Sequence, residues 1–336
     1  MVDAEMSLSQ SRGRMIVVEF DTAIMSSSYD LIGDVHGHAE PLVELLEKLG
    51  YLNANGVYRQ ADRKVIFLGD FIDRGPNQRE VIEIVRPMID SGAALAVIGN
   101  HEFNAICWYT EDPDDHERHL RPHTDKNRRL HREFLDAYEN SDDYPELIEW
   151  FRTLPMWLEL PGLRIVHACW DDFLMQALHE RYPSINEYVD DEILVKASRE
   201  GRVEHDAIET LLKGKEIELP HGHQFMDKDG HARHEIRIRW FDGTASTYHE
   251  AYLGPEKVRS HIPGDTIGAD HLIQYSHDDP PVFLGHYWLD TDPELLAPNI
   301  ACLDYSIAAP GGGKLVAYRW DGEQRLSNEK FVYVER

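Results

Sequence analysis

Along the first hundred residues, short apolar runs alternate with helical stripes. Residues 29–32, 64–68 and 94–98 are aliphatic runs of strand length, rich in β-branched side chains. Between the first two runs, Leu42, Leu45, Leu46 and Leu49 recur at helical spacing, with Pro41 near the start and Gly50 at the end. Val81, Ile82, Val85 and Ile89 form a second stripe, in which Pro87 is expected to kink the helix or end it early. Strand, loop and helix thus follow one another twice, which predicts parallel neighbouring strands joined by crossover helices.

From Phe103 to about residue 160 the chain turns charged and aromatic. Leu130, Phe134 and Tyr138, then Leu147, Phe151 and Leu154, fall at helical intervals and predict a helical insert over 103–160. A strand is expected at 163–167 and polar helical sequence from 171 to 212. Short strands at 281–286, 300–305, 314–320 and 330–334 follow, separated by Gly, Pro and Asp turns. No linker divides the chain, so the expected organisation is an N-terminal extension at 1–25 followed by one domain at 26–336.

Composition narrows the class. With 336 residues, 42% of them hydrophobic, the chain can bury a sizeable core. Asp and Glu number 61 against 34 Lys and Arg, and the resulting charge of −27 repels nucleic acid and anionic membranes. An anionic substrate must therefore be held by local positive charge. Cys107, Cys169 and Cys302 are odd in number and far apart, so neither a disulfide framework nor a thiolate zinc site is indicated, and a cytoplasmic location is expected. The apolar stretch at 15–20 is too short for a secretory core or a membrane span.

The chemistry sits where the first three strands end. Gly33-Asp34-Val35-His36-Gly37, Gly69-Asp70-Phe71-Ile72-Asp73-Arg74-Gly75 and Gly99-Asn100-His101-Glu102 each close one of the aliphatic runs. Asp34 and His36, two apart, can point to the same side of a strand end, and a carboxylate with an imidazole suits a borderline divalent ion. Asp70 has two oxygens with which to bridge two ions, and Asn100 offers a neutral carbonyl ligand. Two imidazoles are still needed. His167 and His286, each following an apolar strand, are the best placed of the 19 histidines.

These three runs resemble the motifs of the calcineurin-like metallophosphoesterases, and within them the phosphoprotein-phosphatase branch. The resemblance covers roughly residues 30–305 and implies an α/β fold, a four-layer αββα sandwich of two mixed sheets flanked by helices. It makes Asp34, His36 and Asp70 ligands of a first metal, with Asp70 bridging to a second held by Asn100, His167 and His286. Manganese is the ion it implies first, with iron, zinc and cobalt also suited to a mixed His, Asp and Asn shell.

The implied reaction is attack on phosphorus by a hydroxide bridging two ions about 3.5–4 Å apart. His101 would act as general acid, with Asp73 fixing its tautomer, and Arg74 would clamp phosphate oxygens. The expected substrate is a phosphomonoester, either a small molecule or a phosphoprotein. A dinucleoside polyphosphate or cyclic nucleotide is the alternative, and a non-catalytic metal-binding scaffold is the reading from another class. The sequence does not specify an oligomeric state.

Two local features qualify the resemblance. In His167-Ala168-Cys169-Trp170, Cys169 and Trp170 stand where smaller residues are usual, and Cys169 reads as a small buried hydrophobe. In the run 234–240, alternation puts Ile236, Ile238 and Trp240 on one face and Arg237 and Arg239 on the other, either as a second phosphate clamp or as a solvated edge strand. Asp304-Tyr305 and Gly311-Gly312-Gly313-Lys314-Leu315 resemble the closing strand and turn of the bacterial phosphatases of this branch.

Overall fold

The structure, a computed structural model, describes residues 28–226, 232–268, 273 and 275–336. The expected extension at 1–25 and the apolar stretch at 15–20 lie outside the described residues. The first apolar runs become the strands Ser28–Ile32, Arg63–Phe67 and Ala94–Ala96, paired in parallel in chain order. Lys314–Trp320 joins the other edge of Ser28–Ile32 antiparallel and pairs in turn with Asp304–Tyr305 and Phe331–Glu335, completing a six-stranded mixed sheet.

A second, four-stranded mixed sheet has the order Ile300–Cys302, Val282–Leu284, Leu163–Val166, Trp157–Leu160. Its first three strands are parallel and the last is antiparallel. The chain passes from one sheet to the other within three residues, since Ile300–Cys302 lies in the second and Asp304–Tyr305 in the first. Both sheets contribute to one continuous apolar core, so this is the α/β architecture of mixed sheets and helices that the sequence predicts.

Helices Ala39–Leu49 and Gln78–Asp90 pack on each other and on the six-stranded sheet. The first ends at Gly50, whose φ of 91° admits the left-handed cap that bonds back to Glu47 and Leu46. The second runs through Pro87 to Asp90, against expectation. Pro87 lies in the last turn, where the ring removes only one late backbone bond, and Ser91 N–H closes the end on the Pro87 carbonyl.

Between residues 103 and 160 the helices are the continuation of Asn100–Tyr109, then Asp125–Leu130, Arg132–Tyr138 and Tyr144–Arg152. A hairpin of Glu111–Asp112 with Asp115–His119 interrupts them, and Trp157–Leu160 is a strand of the second sheet. The hairpin is too polar to show period-2 alternation, which hides it from a hydrophobic reading. The polar stretch beyond 171 forms three helices, Asp172–Arg181, Asp191–Ala197 and Val203–Lys213. Residues between 216 and 268 build a small separate core around Ile217, Ile236, Ile238 and Tyr252. No helix among the described residues is long and apolar enough to cross a membrane.

Candidate metal centre and active site

Five buried side chains converge where strands of both sheets end. Asp34 and His36 follow Ser28–Ile32, Asp70 follows Arg63–Phe67, His167 follows Leu163–Val166, and His286 follows Val282–Leu284. Asn100 and His101 open the helix after Ala94–Ala96. His167 also joins the sheets directly, its Nδ1 donating to the Leu68 carbonyl at 2.6 Å.

The Asp70 carboxylate is the hub. Its Oδ2 lies 3.7 Å from His36 Nε2, 3.4 Å from His167 Nε2 and 3.8 Å from His101 Nε2. Two groups with the spacing of metal ligands share it: His36, Asp70 and His101, and Asp70, His167 and His286. Asp34 approaches His36 Nε2 at 3.9 Å and accepts the His286 backbone N–H at 3.1 Å, while Asn100 Oδ1 lies 3.2 Å from His167 Nε2.

The donors suit divalent cations. His36 donates Nδ1 to the Ile72 carbonyl at 3.0 Å, which leaves Nε2 facing inward, and the buried Nε2 atoms of His36 and His286 have no hydrogen-bond partner among the described residues. No arginine or lysine among the described residues makes an ion pair with Asp34 or Asp70. Burial raises the Asp34 carboxyl well above its ordinary range, and Asp304 pushes it the same way. Burial likewise lowers the His36 and His286 imidazoles, helped at His36 by His101 and at His286 by Arg237. At His167 burial is outweighed by Asp70 and Asp34, which lift its pKa to about 10. Buried carboxylates without arginine or lysine partners, crowded by imidazoles of which two leave Nε2 without an acceptor among the described residues, form a donor set that cations would balance.

The backbone is bent to reach this geometry. His36, Asp70, Asp73, Arg74, His286 and Trp288 all have φ between 45° and 70°, a region that side-chain-bearing residues seldom enter. Glu102 holds one such bend, accepting the backbone N–H of Asp70 at 2.8 Å, Phe71 at 2.8 Å and Gly99 at 3.0 Å. A Cβ at Gly99 would collide with the Asp70 carboxylate and one at Gly285 with the Asp34 carboxylate, so both positions require glycine.

Beside the ligand-like cluster, His101 Nδ1 lies 2.5 Å from Asp73 Oδ2. Burial alone would raise Asp73, but the His131 imidazole and hydrogen bonds from His101 and His131 outweigh it and hold the carboxyl well below its ordinary range. Asp73 is thus an ionised acceptor, and the His101 ring turns Nε2 toward Asp70. Among the described residues Arg74 makes no ion pair and its buried Nε has no hydrogen-bond partner; its guanidinium lies 4.4 Å over the Trp288 ring.

Arg237 and Arg239 meet different partners. Arg237 approaches Glu216 at 3.3 Å and is close enough to lower His286. Arg239 donates to the Leu296 carbonyl at 2.7 Å and pairs with Asp242 at 3.6 Å. Ile236, Ile238 and Trp240 are buried, as their alternation predicts. Cys169 is buried and its thiol is pushed well up by burial.

The family model for calcineurin-like phosphoesterase matches residues 29–287. The chain belongs to the calcineurin-like phosphoesterase family. Among similar sequences, the asymmetrical bis(5'-nucleosyl)-tetraphosphatase PrpE of Oceanobacillus iheyensis is 34% identical over 141 residues, covering 41% of this chain and 54% of that protein. The protein of the same name from Halalkalibacterium halodurans is 46% identical over 74 residues, 22% of this chain and 30% of that protein. The chain thus spans about half or less of the length of these curated relatives. Among solved structures, a serine/threonine phosphatase of Saccharomyces cerevisiae superposes with a TM-score of 0.47 at 13% identity, covering 92% of this chain and 79% of that one.

Four residues of the site escaped sequence reasoning. Glu102 lies inside a recognised motif, where the sequence assigns it no role. His131 and Trp288 carry no motif at all. Asp304, which accepts the Trp288 N–H at 2.7 Å and raises Asp34, was singled out only as part of a closing strand.

Proposed function

We propose that this chain hydrolyses phosphate esters at a dinuclear metal site. The observation that carries the reading is the Asp70 carboxylate shared by two buried ligand-like groups, next to a His101 that contacts Asp73. Asp34, His36 and Asp70 would hold one ion, and Asp70, Asn100, His167 and His286 the other, with manganese the first ion to test. When bound, the two ions supply an activated water and neutralise charge on the phosphoryl oxygens.

The chain's own residues do the rest. Arg74 offers a planar fork to phosphate oxygens, and Arg237 adds positive charge at the His286 side. His101, with Nδ1–H engaged by Asp73, carries its transferable proton on Nε2. As the phosphorus–oxygen bond to the leaving group breaks, its electron pair stays on the leaving oxygen, which takes that proton. The oxygen of water forms the new bond to phosphorus and gives up one proton, which through solvent replaces the one His101 donated, so the products are an alcohol and phosphate.

A phosphomonoester, as a small molecule or on a protein, is the first substrate class. The names of the bacterial relatives favour a second, dinucleoside polyphosphates. Hydrolysis of para-nitrophenyl phosphate, bis-para-nitrophenyl phosphate and diadenosine tetraphosphate, before and after chelation and Mn²⁺ reloading, separates them. Metal-dependent monoester turnover supports the first reading and preference for the tetraphosphate the second, whereas two bound ions with no turnover would favour a scaffold.

A further inference from the structure

Asp73 is held by two histidines. His131 Nδ1 lies 2.7 Å from Asp73 Oδ1 and 2.9 Å from Oδ2, while His101 Nδ1 reaches Oδ2 at 2.5 Å. A carboxylate has only acceptors to offer, so both imidazoles donate through Nδ1. All three residues are buried. The Asp73 backbone is pinned as well, its N–H donating to Gln78 Oε1 at 2.8 Å in a conformation with a φ of 68°.

His131 comes from far along the chain, at the junction of the helices Asp125–Leu130 and Arg132–Tyr138. Its ring lies 4.8 Å from that of Phe134 and 6.0 Å from that of Trp108, and its buried Nε2 has no hydrogen-bond partner among the described residues. Among the described residues the one hydrogen-bonded contact of this imidazole is therefore Asp73. In a pocket walled by aromatic rings, a phenyl group would pack without the cost of an unsatisfied nitrogen. The imidazole is accounted for by what it does to the carboxylate.

With His101 alone, the Asp73 carboxylate could turn about its own axis and carry the His101 ring with it. A second donor that straddles both oxygens removes that freedom, as an outer partner does when it fixes the tautomer and orientation of a functional histidine. We propose that His131 is a positioning residue that locks the Asp73 carboxylate and, through it, holds His101 in the Nδ1–H form with Nε2 directed at the leaving group. The inference rests on the phosphate-ester reading above for its kinetic consequence, and on the hydrogen bonds alone for its structural one.

The test compares His131→Phe, which keeps the ring and removes the donor, with His131→Asn, which keeps a donor on the same branch of the side chain. A nitrophenolate departs without a proton and an alkoxide does not. His131→Phe should therefore lose on the order of 10–10²-fold in kcat on an alkyl phosphate, with little change in KM and a much smaller loss on para-nitrophenyl phosphate. His131→Asn should recover most of that loss. Equal losses on both esters, or no loss on either, would overturn the proposal in favour of a packing role.

Nitrogen-15 NMR of the Zn²⁺-loaded protein gives a readout independent of turnover. His101 Nδ1 should be protonated in the wild type, whether or not Nε2 carries its transferable proton, and only partly protonated in His131→Phe. A wild-type His101 protonated on Nε2 alone, or a His101 signal that His131→Phe leaves unchanged, would refute the positioning role. If the wild type cleaves neither ester, the functional reading fails, and the NMR comparison still decides the role of His131.

Discussion

The Arg74 guanidinium lies 4.4 Å over the Trp288 ring, and the same ring stands 5.8 Å from that of His36. Trp288 is held there by a left-handed backbone, φ 54°, and by donation of its N–H to Asp304 at 2.7 Å. A cation held on an aromatic face keeps its charge while giving up little hydrogen-bonding capacity, so on the proposed reading the Arg74 fork would be in place before an anion arrives.

Trp288→Ala should therefore weaken phosphate binding more than chemistry. A cation–π contact of about 0.5–2 kcal/mol corresponds to a rise of roughly 2- to 30-fold in KM, and in the inhibition constant of inorganic phosphate. kcat should stay within a few-fold. Steady-state kinetics with phosphate as inhibitor check this, and a fall in kcat at unchanged KM would detach Trp288 from Arg74.

Glu102 anchors the other side of the site. Its two oxygens accept the amides of Asp70, Phe71 and Gly99 from inside the core, where burial and Asp70 push its own pKa up to about 7. Glu102→Ala would leave those amides unsatisfied at about 1–3 kcal/mol each and free the Asp70 bend. The expected outcome is a clear drop in Tm together with weaker metal retention, measured by thermal melts and elemental analysis. Glu102→Gln, which keeps one acceptor oxygen, should lie between that variant and the wild type.

His101→Ala separates catalysis from metal binding. Under the general-acid reading it should keep near-normal metal content and lose roughly 10²–10⁴-fold in turnover. Loss of the metals in that variant would recast His101 as a ligand, a role its place in the first ligand-like group makes worth testing.

Much of this site was legible because its residues sit where strands end. Asp34, His36 and Asp70 close aliphatic runs whose length and branching already spell strands, and parallel pairing of those strands then brings their ends to one edge. His167 and His286 were found by the same logic in the second sheet. Glu102, His131 and Trp288 were not, because a buried acid that accepts backbone amides, a histidine among aromatic rings and a tryptophan after a strand all look like ordinary helix or core residues until the contacts are seen. The reach of Pro87 was misjudged for a related reason: its cost depends on how many turns follow it, and helix ends are the part of a pattern that periodicity fixes least.

The role of Asp70 as the shared group is tested most directly by elemental analysis of wild type and Asp70→Asn, with para-nitrophenyl phosphate turnover measured on the same samples before and after chelation and Mn²⁺ reloading. The proposed site predicts two ions per wild-type chain, at least one lost in Asp70→Asn, and turnover that vanishes with the chelator and returns with Mn²⁺. Both ions retained with full activity in Asp70→Asn, or turnover that survives complete removal of metal, would contradict it.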